Sequence, residues 1–154
     1  MFKTSGENTE VLDEYFDRTG AVVVGRRMFD VAQGWGGHSP LKGVPAFVVT
    51  HRVPEELSGE GSPFTFVTDG IESAIGQAKA AAGDKVVAIG GGADIAQQSI
   101  RAGFVDEIQI HVAPLLLGAG VRLFDDAAPE PIELEPTRVV EAPGIAHLRY
   151  RVWK

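Results

Sequence analysis

The stretch Lys85–Ile100, KVVAIGGGADIAQQSI, restricts the possible folds more than any other part of the chain. Val86–Ile89 is a short, continuous apolar run, which predicts a strand buried on both faces. Three glycines follow it directly, and Ala93–Ala102 has the apolar spacing of a helix that Gly103 ends. A strand that passes through glycines into a helix N-terminus favours an anion-binding site, although a tight glycine turn without a ligand is the alternative.

Composition excludes several classes of protein. The 154 residues predict a single domain spanning 1–154, and the formal net charge of −7 argues against nucleic acid or an anionic membrane as the main partner. The absence of cysteine excludes disulfides and thiolate metal sites. No apolar run approaches the ~20 residues of a membrane span, and no signal peptide opens the chain. A cytoplasmic location is therefore expected.

The chain alternates between helical and strand patterns. Thr9–Arg18 predicts an amphipathic helix that Asn8 or Thr9 caps and Gly20 ends. Asp69 and Glu72 predict a capping box for the helix before Gly83. Strands are predicted at Ala21–Val24, Ala46–Thr50, Phe64–Val67 and Phe104–Ala113, and a hairpin at Ile132–Ala142 and Ile145–Trp153. This order predicts a three-layer α/β domain with a mixed, mostly parallel sheet and a C-terminal antiparallel hairpin.

Polar side chains follow two further predicted strands where each strand ends. Arg26 and Arg27 stand at the start of a short helix, and Thr50, His51 and Arg52 leave the next strand. Together with the triple glycine they predict a nucleotide-binding crevice at the carboxyl edge of the sheet. Solvated arginines and an ordinary polar loop are the alternatives for each segment alone.

Three segments together resemble the dihydrofolate reductase fold: Val22–Phe29, Phe47–Arg52 and Ile89–Ile95 occur in its order and spacing. The later run Ala113–Gly120, APLLLGAG, is similar to the subfamily typified by the reductase domain of the bifunctional riboflavin-biosynthesis deaminase–reductase. The resemblance covers nearly the whole chain from Ala21 onward.

This resemblance implies NADPH-dependent hydride transfer to a small heterocyclic or sugar-like substrate. The implied cofactor contacts are Gly25, Arg26 and Arg27 at the pyrophosphate, Thr50, His51 and Arg52 at the adenosine 2′-phosphate, and Gly90, Gly91, Gly92, Asp94 and Ile95 at the pyrophosphate and nicotinamide. The implied substrate contacts are His111, Leu117 and Gly118, with a solvent-facing strand histidine as the alternative for His111. The resemblance also predicts a cis peptide bond between Gly90 and Gly91. No proton donor is assigned, and no histidine has a spacing suited to a metal.

Two features depart from the dihydrofolate reductase pattern. Folate reductases carry a carboxylate on the inner face of the first helix, where this chain has Leu12, and the nearby acidic residues Glu10, Asp13 and Glu14 predict a solvated face. The fold also begins with an apolar central strand and a Ser-Leu-Asp-Gly type of loop, which this sequence does not show. That strand would lie between Val86–Ile89 and Glu107–Val112, so the chain is expected to be N-terminally truncated.

The sequence therefore predicts an NADPH-dependent reductase of the riboflavin-pathway type, whose substrate the sequence does not name. The alternative is a non-catalytic nucleotide-binding or dimerisation module that lacks the active-site strand. A true folate reductase is a third interpretation, but it needs a buried carboxylate that the sequence does not offer. Leu115–Leu117 and the final hairpin carry more apolar surface than a small sheet needs, and they predict a homodimer.

Overall fold

A computed structural model of the chain describes residues 6–57, 59–125 and 128–154. The helices are α1 (Gly6–Arg18), α2 (Arg26–Val31), α3 (Ile71–Ala82) and α4 (Ala93–Arg101). The strands are β1 (Thr19–Gly25), β2 (Ala46–Val49), β3 (Phe64–Val67), β4 (Val86–Ile89), β5 (Glu107–Val112), β6 (Leu134–Ala142) and β7 (Ile145–Val152). None of the helices in these ranges has both the length and the apolar character that crossing a membrane requires.

The first sheet is parallel, with the strand order β3-β2-β1-β4. Residues Ala21–Val24 of β1 are each 2% exposed or less, because helices and aromatic side chains cover both faces of this strand. Ala21 and Val23 pack with α3, whereas Val22 and Val24 pack with Phe29 and Phe64. Burial on both faces explains why the sequence of β1 is continuously apolar rather than alternating.

The second sheet is antiparallel, with the strand order β5-β7-β6. β6 and β7 form the predicted hairpin around Pro143 and Gly144, and Gly144 supplies the left-handed conformation of the turn with φ +80°. β5 pairs with β7 from Glu107 opposite Arg151 onward. The C-terminal part of the chain is therefore one three-stranded unit.

The three-layer α/β class is confirmed, but the mixed sheet that the sequence predicts is divided into two sheets. Among the described strands, β4 pairs only with β1, and β5 pairs only with β7. Each therefore has one free edge, and Val86 at the start of β4 is 42% exposed. The prediction that Val86–Ile89 is buried on both faces is wrong, because this strand lies at an edge of its sheet.

The first helix begins three residues earlier than predicted and ends at Arg18, as predicted. It starts at Gly6, so Asn8 and Thr9 lie within the helix and neither is the cap residue. Gly20 does not end the helix, because β1 already begins at Thr19. The short connection brings the end of α1 directly against the first sheet.

The predicted capping box at Asp69 and Glu72 is wrong. Gly70, with φ +102°, precedes α3, and no side chain caps this helix end. The N–H of Ala74 donates instead to the carbonyl oxygen of Gly70 at 3.2 Å. Gly83 ends α3 with φ +60°, as the sequence predicts for a glycine after a helix.

Candidate functional site

The ends of β1, β2 and β4 bring the three predicted donor segments to one edge of the first sheet. Gly25 at the end of β1 lies opposite Val49, and Val23 lies opposite Ile89, both in parallel register. The carboxyl ends of neighbouring parallel strands meet at the same edge. The segments that follow Gly25, Val49 and Ile89 are therefore side by side, as the sequence predicts.

Arg26 is bound to other parts of this edge. Its Nη1 donates to Oγ1 of Thr50 at 3.2 Å and to the carbonyl oxygen of Arg52 at 2.7 Å. Its Nε donates to the carboxylate of Asp30 at 2.7 Å. Because these contacts occupy Nε and Nη1, Arg26 holds the segment after β2 against the start of α2.

Thr50 holds the backbone of Arg52 through its own buried side chain. Its side chain is buried, its hydroxyl donates to the carbonyl oxygen of Arg52 at 2.9 Å, and its Oγ1 accepts from the N–H of Arg52 at 3.3 Å. The side chains of Arg27, His51 and Arg52 are exposed, and within the described ranges none of them has a hydrogen bond or an ion pair. Three donor side chains at this edge are thus available to a ligand.

The triple glycine lets the backbone at Gly90 lie close to β1 and leaves the N-terminus of α4 uncovered at Gly92. A Cβ at Gly90 would lie 2.7 Å from Cγ1 of Val22 and 3.1 Å from Cγ1 of Val24, so only glycine fits beside β1. Gly92, with φ +88°, directly precedes α4, and a Cβ there would meet nothing within 4 Å. Every described peptide bond is trans, so the predicted cis bond between Gly90 and Gly91 is wrong.

Gly25 allows α4 to pack against β1. A Cβ at Gly25 would lie 2.7 Å from Cγ1 of Ile95, whose side chain is buried. Ile95 therefore anchors the first turn of α4 in the core. Asp94 is exposed, and its carboxylate accepts from Nε2 of Gln98 at 2.7 Å. A carboxylate in the first turn of a helix is favourably placed in the field of the helix dipole.

His111 is paired with a second histidine that sequence analysis did not identify. It lies opposite His147 across β5 and β7, and the two Nδ1 atoms are 2.6 Å apart, so one carries a proton that it donates to the other. Burial lowers the pKa of His111, and the neighbouring His147 lowers this pKa further. His147 is buried, and its Nε2 has no hydrogen-bond partner in the part of the chain that the structure describes.

The other two predicted substrate residues follow β5. Leu117 is 82% exposed and belongs to neither buried cluster. Gly118 has φ +76°, and a Cβ there would meet nothing within 4 Å. The structure does not pack this segment against the ends of the parallel strands.

Glu14 belongs to an ionic cluster that joins α1 to the second sheet. Its Oε1 accepts from Nη1 of Arg149 at 2.7 Å, and its second oxygen accepts from the guanidinium of Arg138. The hydrogen bond from Arg149 holds the pKa of Glu14 below its usual range, although burial acts in the opposite direction. The prediction that Glu14 lies on a solvated face is therefore wrong, because β6 and β7 approach this side of α1.

A cavity of about 520 Å³ lies away from the ends of the parallel strands. It lies between α4 and the second sheet and is bordered by Ile100, Ile108, Phe124 and Val152, and none of the predicted cofactor residues lines it. Over residues 6–57, 59–125 and 128–154, the structure holds no cluster of three or more histidine or acidic side chains that could bind a metal ion.

A sequence profile of the RibD C-terminal domain matches residues 2–144, nearly the entire chain. The chain belongs to the RibD C-terminal domain family. This membership confirms the resemblance that the Ile-Gly-Gly-Gly and Pro-Leu-Leu-Leu-Gly-Ala-Gly segments indicate. No curated protein matches the chain in sequence.

Solved structures of RibD-like proteins share the fold of this RibD C-terminal domain. A protein from Shewanella sp. PV-4, described as belonging to riboflavin biosynthesis, has a TM-score of 0.76 at 20% identity, covering 99% of this chain and 82% of its own. A pyrimidine reductase-like protein from Corynebacterium diphtheriae has a TM-score of 0.70 at 15% identity, covering 98% and 83%. RibD from Acinetobacter baumannii has a TM-score of 0.67 at 14% identity, covering 99% of this chain and 52% of RibD.

Proposed function

We propose that this RibD C-terminal domain binds NADPH at the edge formed by β1, β2 and β4 and acts as a reductase in riboflavin biosynthesis. The observation that carries the proposal is the exposed set Arg27, His51 and Arg52, whose side chains have no partner among the described residues, beside the open helix start at Gly92. Guanidinium groups and helix N-termini both recognise phosphate. Family membership and the pyrimidine reductase-like relative support a reductase that acts on a small heterocyclic or sugar-like substrate.

The residues of this edge fit different parts of the cofactor. Arg27 suits the pyrophosphate, and His51 and Arg52 suit the 2′-phosphate, because their side chains are exposed donors. Arg26 and Thr50 act as positioning residues, since their hydrogen bonds hold the backbone of Arg52. When bound, NADPH supplies the hydride, and the protein orients the nicotinamide and excludes water.

The glycines and the start of α4 complete the proposed cofactor site. Gly25 and Gly90 allow α4 and the end of β4 to lie close to β1, and Gly91 allows the chain to pass close to Met28. Gly92 leaves the helix N–H groups accessible. A carboxylate repels phosphate, so Asp94 suits a ribose hydroxyl better than the pyrophosphate. The proposed substrate contacts are His111, near the end of β5, and Leu117 and Gly118, in the segment after it.

Arg52→Ala is expected to reduce the preference for NADPH over NADH by about 1.5–3 kcal/mol, the size of a hydrogen bond to a charged group. Arg26 donates to the backbone carbonyl of Arg52, which the substitution retains, so the segment should keep its position. Fluorescence titration with both dinucleotides measures the two affinities. Arg122→Ala, at an exposed arginine outside this edge, is the matched control. Equal affinity of the unmutated protein for NADH and NADPH would refute the proposed 2′-phosphate site.

A non-catalytic nucleotide-binding module is the second candidate. It is favoured by the free edge of β4, because none of the described strands pairs with the side of β4 that faces away from β1. A spectrophotometric screen of NADPH oxidation with pterins, pyrimidines and flavin precursors separates the two. Oxidation with any of these compounds supports the reductase, whereas tight NADPH binding without oxidation supports the module.

We also propose that the domain forms a homodimer through the exposed apolar segment after β5. Leu115, Leu116 and Leu117 are 68%, 104% and 82% exposed, which is unusual for adjacent leucines in a monomer. Light scattering at tens of micromolar is expected to give the mass of a dimer, and Leu116→Glu is expected to give that of a monomer. A monomeric unmutated protein at this concentration would contradict the proposal.

A further inference from the structure

The rings of His111 and His147 share one proton. They lie opposite each other on β5 and β7, with the two Nδ1 atoms 2.6 Å apart and the ring planes at 78°. Two N–H groups at this distance would collide, and two lone pairs would repel each other, so one Nδ1 donates and the other accepts. The tautomers of the two neutral rings are therefore linked. The ring that donates from Nδ1 has a lone pair on Nε2, and the ring that accepts carries its proton on Nε2.

The surroundings of Nε2 of His147 decide which ring donates. His147 is 4% exposed, and its Nε2 has no hydrogen-bond partner among the described residues. If His147 accepted at Nδ1, this Nε2 would carry a proton, and a buried N–H without an acceptor is costly. If His147 donates, Nε2 is a lone pair that needs only a nearby donor.

Donor groups predominate beside His147. A cavity of about 10 Å³, about the least that holds one water, is lined by His147 and by the polar side chains of Gln109, Arg138 and Arg149. A guanidinium group carries donors and no acceptor. Nε of Arg149 is itself buried without a hydrogen bond among the described residues, and its ion-pair partner Glu107 lies 3.4 Å away. A lone pair on Nε2 of His147 suits this cavity, and an N–H does not.

The charged groups on this side of the second sheet are already paired with one another. The carboxylates are Glu10 and Glu14 on α1, Glu107 on β5 and Glu135 on β6, and each is ion-paired with one or more of Arg18, Arg138, Arg149 and Arg151. None of the described carboxylates forms an ion pair with either histidine, so none stabilises an imidazolium ion in the pair. The lowered pKa of His111, which partial burial and the neighbouring His147 cause, acts in the same direction and favours two neutral rings.

The hydrogen bond also determines the orientation of the His111 ring. β5 pairs only with β7 among the described strands, and the ring of His111 has no hydrogen bond to a described residue other than His147. Without this bond the ring could rotate about its side-chain bonds, and Nε2 would have no fixed direction. His147 is buried and therefore supplies the rigid partner.

We infer that His147 is a positioning residue, which donates to Nδ1 of His111 and leaves the Nε2–H of a neutral His111 as a hydrogen-bond donor at the proposed substrate site. The side chain of His111 is exposed, so a ligand can reach this N–H. A neutral N–H matches an uncharged acceptor oxygen, such as the carbonyl oxygen of a heterocyclic ring, whereas phosphate is bound best by charged donors. The tautomer of His111 follows from the geometry of the pair, and the class of ligand rests on the proposed function.

Long-range ¹H–¹⁵N correlation spectra of the ¹⁵N-labelled protein at pH 7 test the tautomers directly. They distinguish a ring nitrogen that carries a proton from one that has a lone pair. His111 is expected to carry its proton on Nε2, and His147 is expected to carry its proton on Nδ1. The reverse pattern, or a positive charge on either ring at this pH, would overturn the inference.

His147→Phe retains a buried ring but removes the donor. His111 is expected to change from a single tautomer to an exchanging mixture, and its pKa is expected to rise because the imidazole that lowers it is gone. Val140→Ala is the matched control, since Val140 lies opposite His147 on β6 and lines the same cavity. This variant alters the packing beside His147 without removing the hydrogen bond, and it should leave both rings unchanged.

Two results with these variants would contradict a positioning role. The first is an unchanged tautomer of His111 in folded His147→Phe. The second is the same change of tautomer in Val140→Ala, which would mean that packing and not the donor selects the tautomer. If His147→Phe does not fold, the spectra of the unmutated protein decide the question.

Uracil and inorganic phosphate test the class of ligand on the same labelled protein. Uracil offers uncharged carbonyl oxygens, and at millimolar concentration it is expected to shift the Nε2–H signal of His111, whereas phosphate is expected to leave this signal unchanged. A shift with phosphate alone, or with neither compound, would overturn the assignment of an uncharged acceptor oxygen. Titration with NADPH tests the proposed cofactor site separately. NADPH binding without a response of His111 to uracil would refute only this inference, and the expected tautomers without NADPH binding would refute only the proposed function.

Discussion

Gly20→Ala is expected to lower the free energy of unfolding by about 3 kcal/mol, near the upper end of the usual cost of overpacking a core. A Cβ at Gly20 would lie 2.8 Å from the carbonyl oxygen of Ala82 and 2.9 Å from its Cα. Both are backbone atoms at the end of α3, so they cannot move aside as the tip of a flexible side chain can. The melting temperature should fall by roughly 6–12 °C in a domain of this size. Urea unfolding followed by circular dichroism measures the free energy directly.

Gly76→Ala is the matched control for this substitution. Gly76 lies within α3, and a Cβ there would meet nothing within 4 Å. Alanine is a better helix former than glycine by about 1 kcal/mol, so this variant should be at least as stable as the unmutated protein. If Gly20→Ala is equally stable, β1 does not approach the end of α3 as closely as described.

Glu14→Gln is expected to lower the free energy of unfolding by about 2 kcal/mol at pH 7, within the range for hydrogen bonds to charged groups. The carboxylate accepts from Arg149, whose side chain is only 12% exposed, and from Arg138. An amide keeps the shape of the side chain but loses the charge and one acceptor. Glu135→Gln removes a carboxylate from a more exposed pair with Arg151 and should cost about 0.5 kcal/mol or less.

The effect of Glu14→Gln should disappear in acid. The hydrogen bond from Arg149 lowers the pKa of Glu14 in the folded protein below its usual value of 4.5. The carboxylate therefore stabilises the fold fully above pH 4.5, and this contribution is lost as the pH falls through the lower pKa of the folded state. Urea unfolding of both proteins between pH 7 and pH 3 should show their stabilities converging at the acid end. A constant difference over this range would argue against an electrostatic role.

Local sequence pattern predicts much of the parallel sheet. β1 and β2 contain short apolar runs bounded by glycine, proline or polar residues, and burial on both faces makes such runs recognisable. The same pattern gives the bounds of β4 correctly but overestimates its burial, because composition reports how apolar a strand is and not whether a neighbouring strand is present. Helix starts are also missed where a glycine such as Gly70 replaces a side-chain cap.

The sequence predicts only part of the candidate site. The donor residues follow strand ends, so their juxtaposition could be inferred from parallel topology alone. The hydrogen bonds from Arg26 to Thr50 and Arg52 could not be inferred in this way, because they depend on the conformation of the segment after β2. His147 could have been noticed from the alternation of β7, which places Ile145, His147 and Arg149 on one face. Its contact with His111 requires the β5–β7 register, which sequence does not specify.

The uncharged free edge of β4 also bears on how this protein behaves in a crowded cell. An unpaired, apolar strand edge is a template on which further chains can stack, and each added strand presents a new edge of the same kind. Molecules in which this edge is uncovered are therefore expected to aggregate.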